Sequence, residues 1–350
     1  MIVSGFIIEM DKGNYLIELE NGLYSLGENQ GYVEACVEYA RNLLDHNMPV
    51  IFDINHLSLL IGINRHVLYS YIFGEGDRVY SIITIPKKRG GKRQLSIPCY
   101  SLNYIQRWIL DNVLSNTQVS DSCMGFTISR SIVTNAKVHL GADVIINVDI
   151  KDFFPSINIG QIYQLFRYYG YTKEIAFSFA RLCTYDGVLP QGAPTSPCLS
   201  NLVCLKLDKR LSSFANTYNA SYTRYADDLS FSGKGKLEKM LPIIEKIINE
   251  EGFKLNHEKT RVLRKGARQE ITGIVINDGK LHVSREYKRK LMQEIYYCQK
   301  YGYENHQQHV GDDHRFFRDH LYGKAYFIKM IEHDLGKKLI EELDKINWEV

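Results

Sequence analysis

Apolar and polar positions along the chain follow two periods, which together predict a mixture of helices and strands. Between residues 31 and 73 apolar side chains recur every three or four positions, as at Val33, Val37, Ala40 and Leu44. That spacing places them on one face of a helix. Helical spacing predicts further helices over 103–114, 162–182, 200–214, 237–251 and from 285 onward, the last interrupted by a polar loop at 303–314.

Strand-like segments are shorter. Residues 142–150 form an almost continuous apolar, β-branched run that is typical of a buried strand and has Asp149 near its end. Segments 221–225 and 229–232 flank an acidic turn and predict a β-hairpin. Further hairpins are predicted around Asn21-Gly22 and over 270–283. Helices and strands are mixed without strict βαβ alternation, which favours the α+β class over a doubly wound sheet.

Composition excludes several classes of protein. The chain has 350 residues, of which 45% are hydrophobic, enough for a large interior, and it has no low-complexity tract. Its seven cysteines are scattered without a CxxC pair, so neither a disulfide framework nor a structural zinc site is expected. No segment has the ~18–20 apolar residues of a membrane span, and the first residues lack the basic start of a signal peptide. We therefore expect a soluble, cytoplasmic protein.

Positive charge is concentrated in one place. The net charge is only +3, a weak indication of a polyanionic partner, but Lys87, Lys88, Arg89, Lys92 and Arg93 lie within seven residues that also include two glycines. Such a segment can bind phosphate. The alternative is a solvated basic loop.

Three carboxylates lie where predicted strands end. Asp149 ends the buried strand, and Asp227-Asp228 occupy the hairpin turn, so all three can converge at one edge of a sheet. Like charges a few Å apart disfavour one another's ionisation, which makes such a cluster costly without cations. Two divalent ions ~3.5–4 Å apart provide that charge and form the clamp used for phosphoryl transfer. Oxygen ligands favour Mg²⁺, with Mn²⁺ as a substitute. The alternative is that Asp-Asp only satisfies turn chemistry.

Three motifs in a characteristic order support the catalytic interpretation. Asp149-Ile150-Lys151-Asp152-Phe153-Phe154-Pro155-Ser156-Ile157 precedes Leu189-Pro190-Gln191-Gly192-Ala193-Pro194-Thr195-Ser196-Pro197, and Tyr225-Ala226-Asp227-Asp228 follows. Over residues 55–350 the chain resembles the bacterial retron-type reverse transcriptases, which are RNA-directed DNA polymerases. The resemblance implies a right-hand polymerase fold with fingers, palm and thumb. The implied divisions are an N-terminal extension at 1–54, fingers at 55–140 and about 158–188, palm at 141–157 and 189–270, and a TG hairpin with an RNA-binding thumb at 271–350.

The resemblance also implies roles for the acidic residues. Asp149 and Asp227 match the two principal metal ligands, the carbonyl of Ile150 matches a further ligand, and Asp228 matches a more weakly bound one. Lys259 matches a candidate general acid that protonates the pyrophosphate leaving group. A lysine near phosphate can also act by charge alone, and both roles stay open.

Nucleotide-binding residues are implied in the same way. Phe154 matches a steric gate that excludes the ribose 2′-OH, so dNTPs are the expected substrates. The alternative places both Phe153 and Phe154 in the core. Gln191 and Gly192 match a loop that contacts nucleotide and template–primer. Arg93 and one of Lys87 or Lys88 match residues that grip the triphosphate.

Two short elements narrow the resemblance to retron enzymes. Asn135-Ala136-Lys137-Val138-His139 matches an NAxxH element, and Ile271-Thr272-Gly273 matches a VTG element with Ile in place of Val. By resemblance Asn135, His139 and the Ile271–Gly273 element bind RNA. So do Arg285, Lys288 and Arg289, beside interleaved tyrosines that can stack on unpaired bases. The alternative for this last segment is a solvated helix face with core tyrosines.

The full function implied by the resemblance is synthesis of branched, RNA-linked single-stranded DNA (msDNA). A cognate structured noncoding RNA would be copied in part, primed from a guanosine 2′-OH, in antiphage defence. A separate effector protein and host RNase H are the expected partners, and no membrane is. Since the chain ends at Val350, we expect no maturase or endonuclease domain. The alternatives are a group II intron or other defence-associated reverse transcriptase, or a polymerase-fold scaffold that restrains an effector.

Overall fold

The structure, a computed structural model, describes residues 12–74, 79–86, 91–310 and 316–348. The helices are, in chain order, α1 Lys12–Ser25, α2 Gln30–Asp45, α3 Ile54–Ile61, α4 Arg65–Phe73, α5 Tyr100–Asn112, α6 Ile132–Val138, α7 Ile159–Tyr168, α8 Lys173–Cys183, α9 Ser196–Val203, α10 Leu205–Thr217, α11 Leu241–Glu250, α12 Arg285–Tyr301, α13 Tyr303–Val310, α14 Phe317–Ile331 and α15 His333–Asp344. The strands are β1 Tyr80–Pro86, β2 Lys92–Pro98, β3 Val144–Asp149, β4 Ser221–Tyr225, β5 Asp228–Gly233, β6 Arg261–Arg264, β7 Glu270–Ile271 and β8 Ile274–Val275.

The chain divides into two compact units. The first unit comprises residues 1–120, 151–207 and 251–253, and the second comprises 121–150, 208–250 and 254–350. The first unit consists of helices and an antiparallel hairpin of β1 and β2, in which Ile85 pairs with Arg93. The second unit contains a four-stranded sheet and the C-terminal helices. No helix within the described residues is long and apolar enough to cross a membrane.

The hairpin expected near Asn21-Gly22 is wrong, because this segment is helix α1. Its half-buried side chains are Tyr15, Leu16, Leu19 and Leu23. Leu16, Leu19 and Leu23 are separated by three and four residues, and Tyr15 lies four residues before Leu19, which is the period of a helix and not of a strand. The run from Asn14 to Leu19, which suggested the hairpin, is too short to distinguish the two periods.

Two other segments differ from the sequence expectation. The helix expected over 162–182 is broken into α7 and α8, since Gly170 adopts a left-handed φ of +98° and Thr172 caps α8 through a hydrogen bond to the Ile175 amide. The loop expected at 303–314 is helical over Tyr303–Val310, while 311–315 lie outside the described residues.

The sheet of the second unit is antiparallel in the order β4-β5-β3-β6. Strand β3 is almost wholly buried, as its β-branched sequence predicts. Its pairing with β5 sets Asp149 opposite Asp228. The register of this one strand pair therefore brings two parts of the sequence, about 80 residues apart, to the same edge of the sheet.

The C-terminal helices of the second unit have an apolar core of their own. Its buried members are Val283, Leu291, Ile295, Cys298, Phe317, Leu321, Ala325, Ile328, Leu339, Leu343 and Ile346. A smaller cluster, to which Ile331 of α14 contributes, joins Ala136 of α6 and Ile145 of β3 to Ile271 and Ile274 of the β7–β8 hairpin. The helices and the sheet are thus packed within one unit.

A buried hydrogen-bond network connects α6 to β4, β5 and the β7–β8 turn. His139 contacts the hydroxyls of Ser232 through Nδ1 and of Thr223 through Nε2, both at 2.7 Å. The Thr223 hydroxyl donates to Asn135 Oδ1 at 2.6 Å, and Asn135 Nδ2 donates to Thr272 Oγ1 at 3.4 Å. Because the Thr223 proton is used on Asn135, Nε2 of His139 must carry the proton given to Thr223. Burial lowers the pKa of His139 to about 4.

This lowered pKa predicts an acid-sensitive fold. The unfolded chain binds a proton at His139 below pH ~6.5, whereas the folded chain resists protonation down to about pH 4. The contribution of neutral His139 to the free energy of unfolding is therefore fully present above pH ~6.5. Below that pH it falls by roughly 1.4 kcal/mol per pH unit. Between about pH 7.5 and 5 the native protein should lose roughly 2 kcal/mol more unfolding free energy than His139→Gln, measured by urea titration. Equal losses in both proteins would contradict the prediction.

Candidate active site

The β4–β5 hairpin presents its acids through a strained turn. Ala226 adopts a left-handed φ of +57°, which is uncommon for a residue with a side chain. The Ile150 amide donates to the Asp227 carbonyl at 2.9 Å, which ties the end of β3 to this turn. Asp149 and Asp228 are register partners on the adjacent strands. The structure therefore brings the three predicted catalytic aspartates together at one strand edge.

Asp149 is almost fully buried and is held on several sides. Lys259 Nζ donates to Oδ2 at 2.7 Å, and Asn256 Nδ2 donates to Oδ1 at 3.1 Å. The Asn256 amide also donates to the Asp149 carbonyl at 2.8 Å. The contact of Asn256 with Asp149 was not predicted from the sequence. The segment that follows α11 thus orients the Asp149 carboxylate.

Charge at this site is unbalanced toward the negative. Desolvation, followed by the charges of Asp227 and Asp149, raises the pKa of Asp228 to about 7, although Lys259 lowers it. Desolvation lowers the pKa of Lys259, but its hydrogen bond to Asp149 and the three carboxylates outweigh that effect and raise it. Lys259 is consequently a protonated counterion, and one cation does not offset three carboxylates.

The donor chemistry fits divalent cations. Carboxylate oxygens are the ligands that hard metal ions prefer, and repulsion from Asp227 and Asp149 adds to desolvation in raising the pKa of Asp228. Among the described residues, no three His, Cys, Asp or Glu side chains already form a metal-binding group. The Lys259 ammonium occupies the Oδ2 side of Asp149 instead. That the carbonyl of Ile150 is a ligand stays a prediction.

A glycine that was not singled out in the sequence supports the turn between β4 and β5. A Cβ on Gly125 would lie 2.9 Å from the Ala226 amide nitrogen and 3.2 Å from the Tyr225 ring. Contacts this close are essentially not tolerated by real side chains, and the backbone here leaves no room to move. Residue 125 must therefore be glycine for the turn to keep its position.

Within the first unit, the paired phenylalanines have different environments. Phe153 is buried and stacks on Phe253 with ring centroids 6.0 Å apart, while Phe154 contacts Phe153 edge-on and is only half-buried. Phe153 is thus a core residue. Phe154 is the one whose ring has a solvent-accessible surface, as a sugar-contacting residue needs.

The loop of Gln191 and Gly192 is docked onto β2. The Gln191 carbonyl accepts a hydrogen bond from the Ser96 amide at 2.8 Å, and Gly192 has a φ of +130°. A Cβ on Gly192 would approach the Ser96 carbonyl oxygen to 2.8 Å. Arg93, on the same strand, is exposed. Lys87 and Lys88 lie outside the described residues.

The predicted RNA-binding residues fall into buried and exposed groups. Asn135 and His139 are each 1% exposed, and Ile271 is fully buried, so their side chains hold the sheet and hairpin together and do not face solvent. Thr272 and Gly273, with φ of +46° and +85°, form the β7–β8 turn. This turn closes a tighter hairpin than the one expected over 270–283.

On α12, Arg285 and Arg289 are exposed, whereas Lys288 is half-buried. Lys288 Nζ contacts both carboxylate oxygens of Glu332 at 3.0 Å, and Glu332 also accepts the Val283 amide. Lys288 therefore ties α12 to the junction of α14 and α15. Arg285 and Arg289 are the two predicted cations of this helix that are available to phosphate.

The C-terminal helices form a cavity that was not predicted from the sequence. The cavity has a volume of about 710 Å³ and is lined by Lys290, Gln293, Glu294, Tyr297, Tyr301, Asn305 and His306. The cavity contains aromatic rings beside amide, carboxylate and ammonium groups. The alternating tyrosines of α12 were the available signal, but α13, which completes the lining, had been assigned to a loop.

Comparison with known proteins assigns the family. The family model described as reverse transcriptase (RNA-dependent DNA polymerase) matches residues 85–290. The chain belongs to the reverse transcriptases and is an RNA-directed DNA polymerase, a family whose members depend on divalent metal ions.

Individual relatives define the type. The retron Mx65 reverse transcriptase of Myxococcus xanthus is 35% identical over 85% of this chain and 72% of its own length. The retron Ec86 reverse transcriptase of Escherichia coli is 33% identical over 87% of this chain and 92% of its own length. The chain is therefore a retron-type reverse transcriptase, and the predicted family and α+β polymerase fold are confirmed.

Among solved structures, the chain is similar to apo telomerase from Candida tropicalis. That similarity has a TM-score of 0.47 and 14% identity over 76% of this chain and 56% of the telomerase. Telomerase from Candida albicans, solved with a fragment of telomeric RNA, gives a TM-score of 0.46 and 11% identity over 76% and 63% of the two chains. The family assignment rests on the sequence matches.

The Gly192 contact predicts a specific effect of substitution. Gly192→Ala should lower the unfolding free energy by roughly 1–3 kcal/mol and raise the KM for dNTP, because the methyl group collides with the Ser96 carbonyl. Gly187→Ala is the control, since Gly187 also has a positive φ but has nothing within 4 Å of an added Cβ. Urea unfolding and primer extension measure both effects. If the two variants behaved alike, contact with Ser96 would not be the cause.

Proposed function

We propose that this retron-type reverse transcriptase copies part of a cognate structured noncoding RNA into single-stranded DNA that stays linked to the RNA. Synthesis is primed from a guanosine 2′-OH, and the msDNA product acts in antiphage defence. The observation that carries the polymerase chemistry is the convergence of Asp149, Asp227 and Asp228 at one strand edge with a protonated Lys259. The retron relatives and the NAxxH and TG elements support the finer function.

Two Mg²⁺ ions, with Mn²⁺ as a substitute, are the proposed cofactors. Asp149 and Asp227 would hold both, with the Ile150 carbonyl as a further ligand and Asp228 as a weaker one. When bound, the ions lower the pKa of the attacking hydroxyl and neutralise charge on the triphosphate. The protein's own contribution is a rigid carboxylate frame, since Asn256 fixes Asp149 and Ile150 fixes the Asp227 backbone.

Lys259 is the proposed general acid. Its raised pKa keeps it protonated near neutrality, and its hydrogen bond to Asp149 holds the proton at Nζ. Donation of this proton to the departing pyrophosphate oxygen would neutralise the charge that develops there. The exposed part of the lysine side chain leaves it free to turn from Asp149 toward a phosphate.

Residues of the first unit are proposed to select and hold the nucleotide. The Phe154 ring would block a ribose 2′-OH, and the Gln191-Gly192 loop would contact the nucleotide and template–primer with its backbone. Arg93 and one of Lys87 or Lys88 would grip the triphosphate. The support is the half-buried state of Phe154, the close approach permitted by Gly192 and the exposure of Arg93.

The C-terminal helices are proposed to bind the cognate RNA. Arg285 and Arg289 are exposed cations suited to phosphate, and the TG turn at Thr272-Gly273 would contact the nucleic-acid backbone. Four of the predicted RNA-binding residues would act indirectly: Asn135, His139 and Ile271 by fixing the β7–β8 hairpin, and Lys288 by fixing α12. We propose that the predicted fingers and palm hold the nucleotide and the metal ions, and that the predicted thumb binds the RNA.

The proposed partners are the RNA and its msDNA product, dNTPs, a separate effector protein and host RNase H. A group II intron enzyme or another defence-associated reverse transcriptase remains the alternative to a retron enzyme. A scaffold that only restrains an effector would not need Asp149, Asn256 and Lys259 held as they are. Sequencing of co-purifying nucleic acid separates these cases, because only a retron enzyme yields RNA-linked branched DNA from one noncoding RNA.

Removal of one carboxylate should abolish synthesis. Asp227→Asn should lower kcat for template-dependent dNTP incorporation by about a thousandfold or more, because a metal clamp worth several kcal/mol is lost. Branched DNA should disappear from cells that carry the variant. Asp278→Asn, in an exposed turn with φ of +58°, is a matched control and should retain activity. If wild-type protein incorporates no dNTP on its co-purified RNA with Mg²⁺, the enzymatic proposal fails.

Sugar selection should depend on Phe154. Phe154→Ala should raise the efficiency of rNTP incorporation relative to dNTP by about tenfold or more, since the 2′-OH no longer meets the ring. The measurement is the ratio of kcat/KM values for matched rNTP and dNTP. Phe177→Ala, at an exposed phenylalanine of the same unit, should leave the ratio unchanged. An unchanged ratio in Phe154→Ala would remove Phe154 from the nucleotide site.

A further inference from the structure

An ion pair lies completely buried beneath the catalytic hairpin. Arg224 of β4 and Asp208 of α10 both have side chains without solvent exposure. Nε and Nη2 of Arg224 donate to Oδ1 and Oδ2 of Asp208, each at 2.8 Å, which is a bidentate fork. The Tyr222 hydroxyl donates to Asp208 Oδ1 at 2.8 Å. Tyr222 and Arg224 are two residues apart on one strand, so they share the face that meets α10.

The third nitrogen of Arg224 contacts the catalytic turn itself. Nη1 donates to the Ala226 carbonyl at 3.3 Å. That carbonyl belongs to the peptide group joining Ala226 to Asp227, and Ala226 has the strained φ of +57°. The Arg224 backbone is fixed as well, since its amide donates to the Ser122 carbonyl and its carbonyl accepts the Met124 amide. One side chain therefore connects a helix to the peptide that orients Asp227.

Stability alone does not account for this pair. Removing two charges from water is costly, and replacement of a buried ion pair by apolar residues of similar size is often neutral or stabilising. A buried pair persists where it fixes one conformation among several. Strained backbone likewise persists only when its surroundings over-determine it. Two contacts constrain Ala226 in this way. Arg224 donates a hydrogen bond to its carbonyl, and Gly125 packs closely against its amide nitrogen.

We propose that Arg224, held by Asp208, is a positioning residue that sets the Ala226–Asp227 peptide and thereby the Asp227 carboxylate for catalysis. It acts through the backbone of the turn and touches neither substrate nor metal. The ion pair links the conformation of the turn to the buried interior of the second unit. Loss of the pair should let the turn change conformation while the sheet stays folded.

A charge-free variant separates positioning from stability. Arg224→Met with Asp208→Leu and Tyr222→Phe removes both charges and the hydroxyl that would lose its acceptor. We expect a Tm within a few degrees of the native value, a kcat at least about thirtyfold lower, and a KM for dNTP within about twofold. Mn²⁺ binding to the protein without nucleic acid, followed by electron paramagnetic resonance, should weaken about tenfold. A folded variant with native kcat and Mn²⁺ affinity would overturn the proposal.

A second variant decides the matter if the first does not fold. Arg224→Lys keeps the buried charge pair with Asp208 but has no guanidinium fork to reach the Ala226 carbonyl at the same time. It should fold, lower kcat about tenfold and weaken Mn²⁺ binding. Native values of both would overturn the proposal. Arg210→Lys is the control, because Arg210 pairs with Glu250 from the same helix but at the surface, and it should change neither quantity. Since Mn²⁺ binding is read without RNA, failure of the proposed retron function would not mimic either result.

Discussion

Pairing of β3 with β5 places two carboxylates opposite each other, and much of the second unit serves to hold that arrangement. Asp149 and Asp228 are register partners, and Asp227 adjoins them through the hydrogen bond from Ile150. Repulsion among three like charges would separate these elements if they were free to move. The sheet register, the Lys259 counterion and the Asn256 hydrogen bonds oppose that repulsion, so the fold keeps the three acidic residues close together.

The strand β4 shows how the frame is made rigid. On one face of the strand, Tyr222 and Arg224 donate hydrogen bonds to Asp208. On the other face, Thr223 is hydrogen-bonded to His139 and Asn135. Both faces of a short strand are thereby fixed by directional contacts in addition to apolar packing. Because buried polar groups are costly when unpaired, each network disfavours arrangements that leave one of its members without a partner. The NAxxH element then has a structural role, since it supports the strand that leads into the Ala226–Asp227 turn.

The convergence of Asp149, Asp227 and Asp228 could be predicted from the sequence because these residues lie in contiguous motifs at the ends of strongly patterned strands. For Phe153 and Phe154 the sequence left open the alternative that both rings lie in the core, and the structure distinguishes the buried Phe153 from the half-buried Phe154. The sequence could not predict the partnership of Arg224 with Asp208, since the two residues are far apart in sequence and neither has a local pattern. Helix α1 was mistaken for a hairpin because the run from Asn14 to Leu19 is too short to distinguish the period of a helix from that of a strand. Contacts between distant residues, which decide such cases, are not encoded in local spacing.

The ammonium of Lys259 is a counterion that the protein itself supplies to the Asp149 carboxylate. A divalent ion that took Asp149 Oδ2 as a ligand would compete with this ammonium for the same oxygen. Lys259 is also the residue proposed to protonate the leaving pyrophosphate. Under that proposal, release of Lys259 from Asp149 would couple the availability of the proton donor to metal binding.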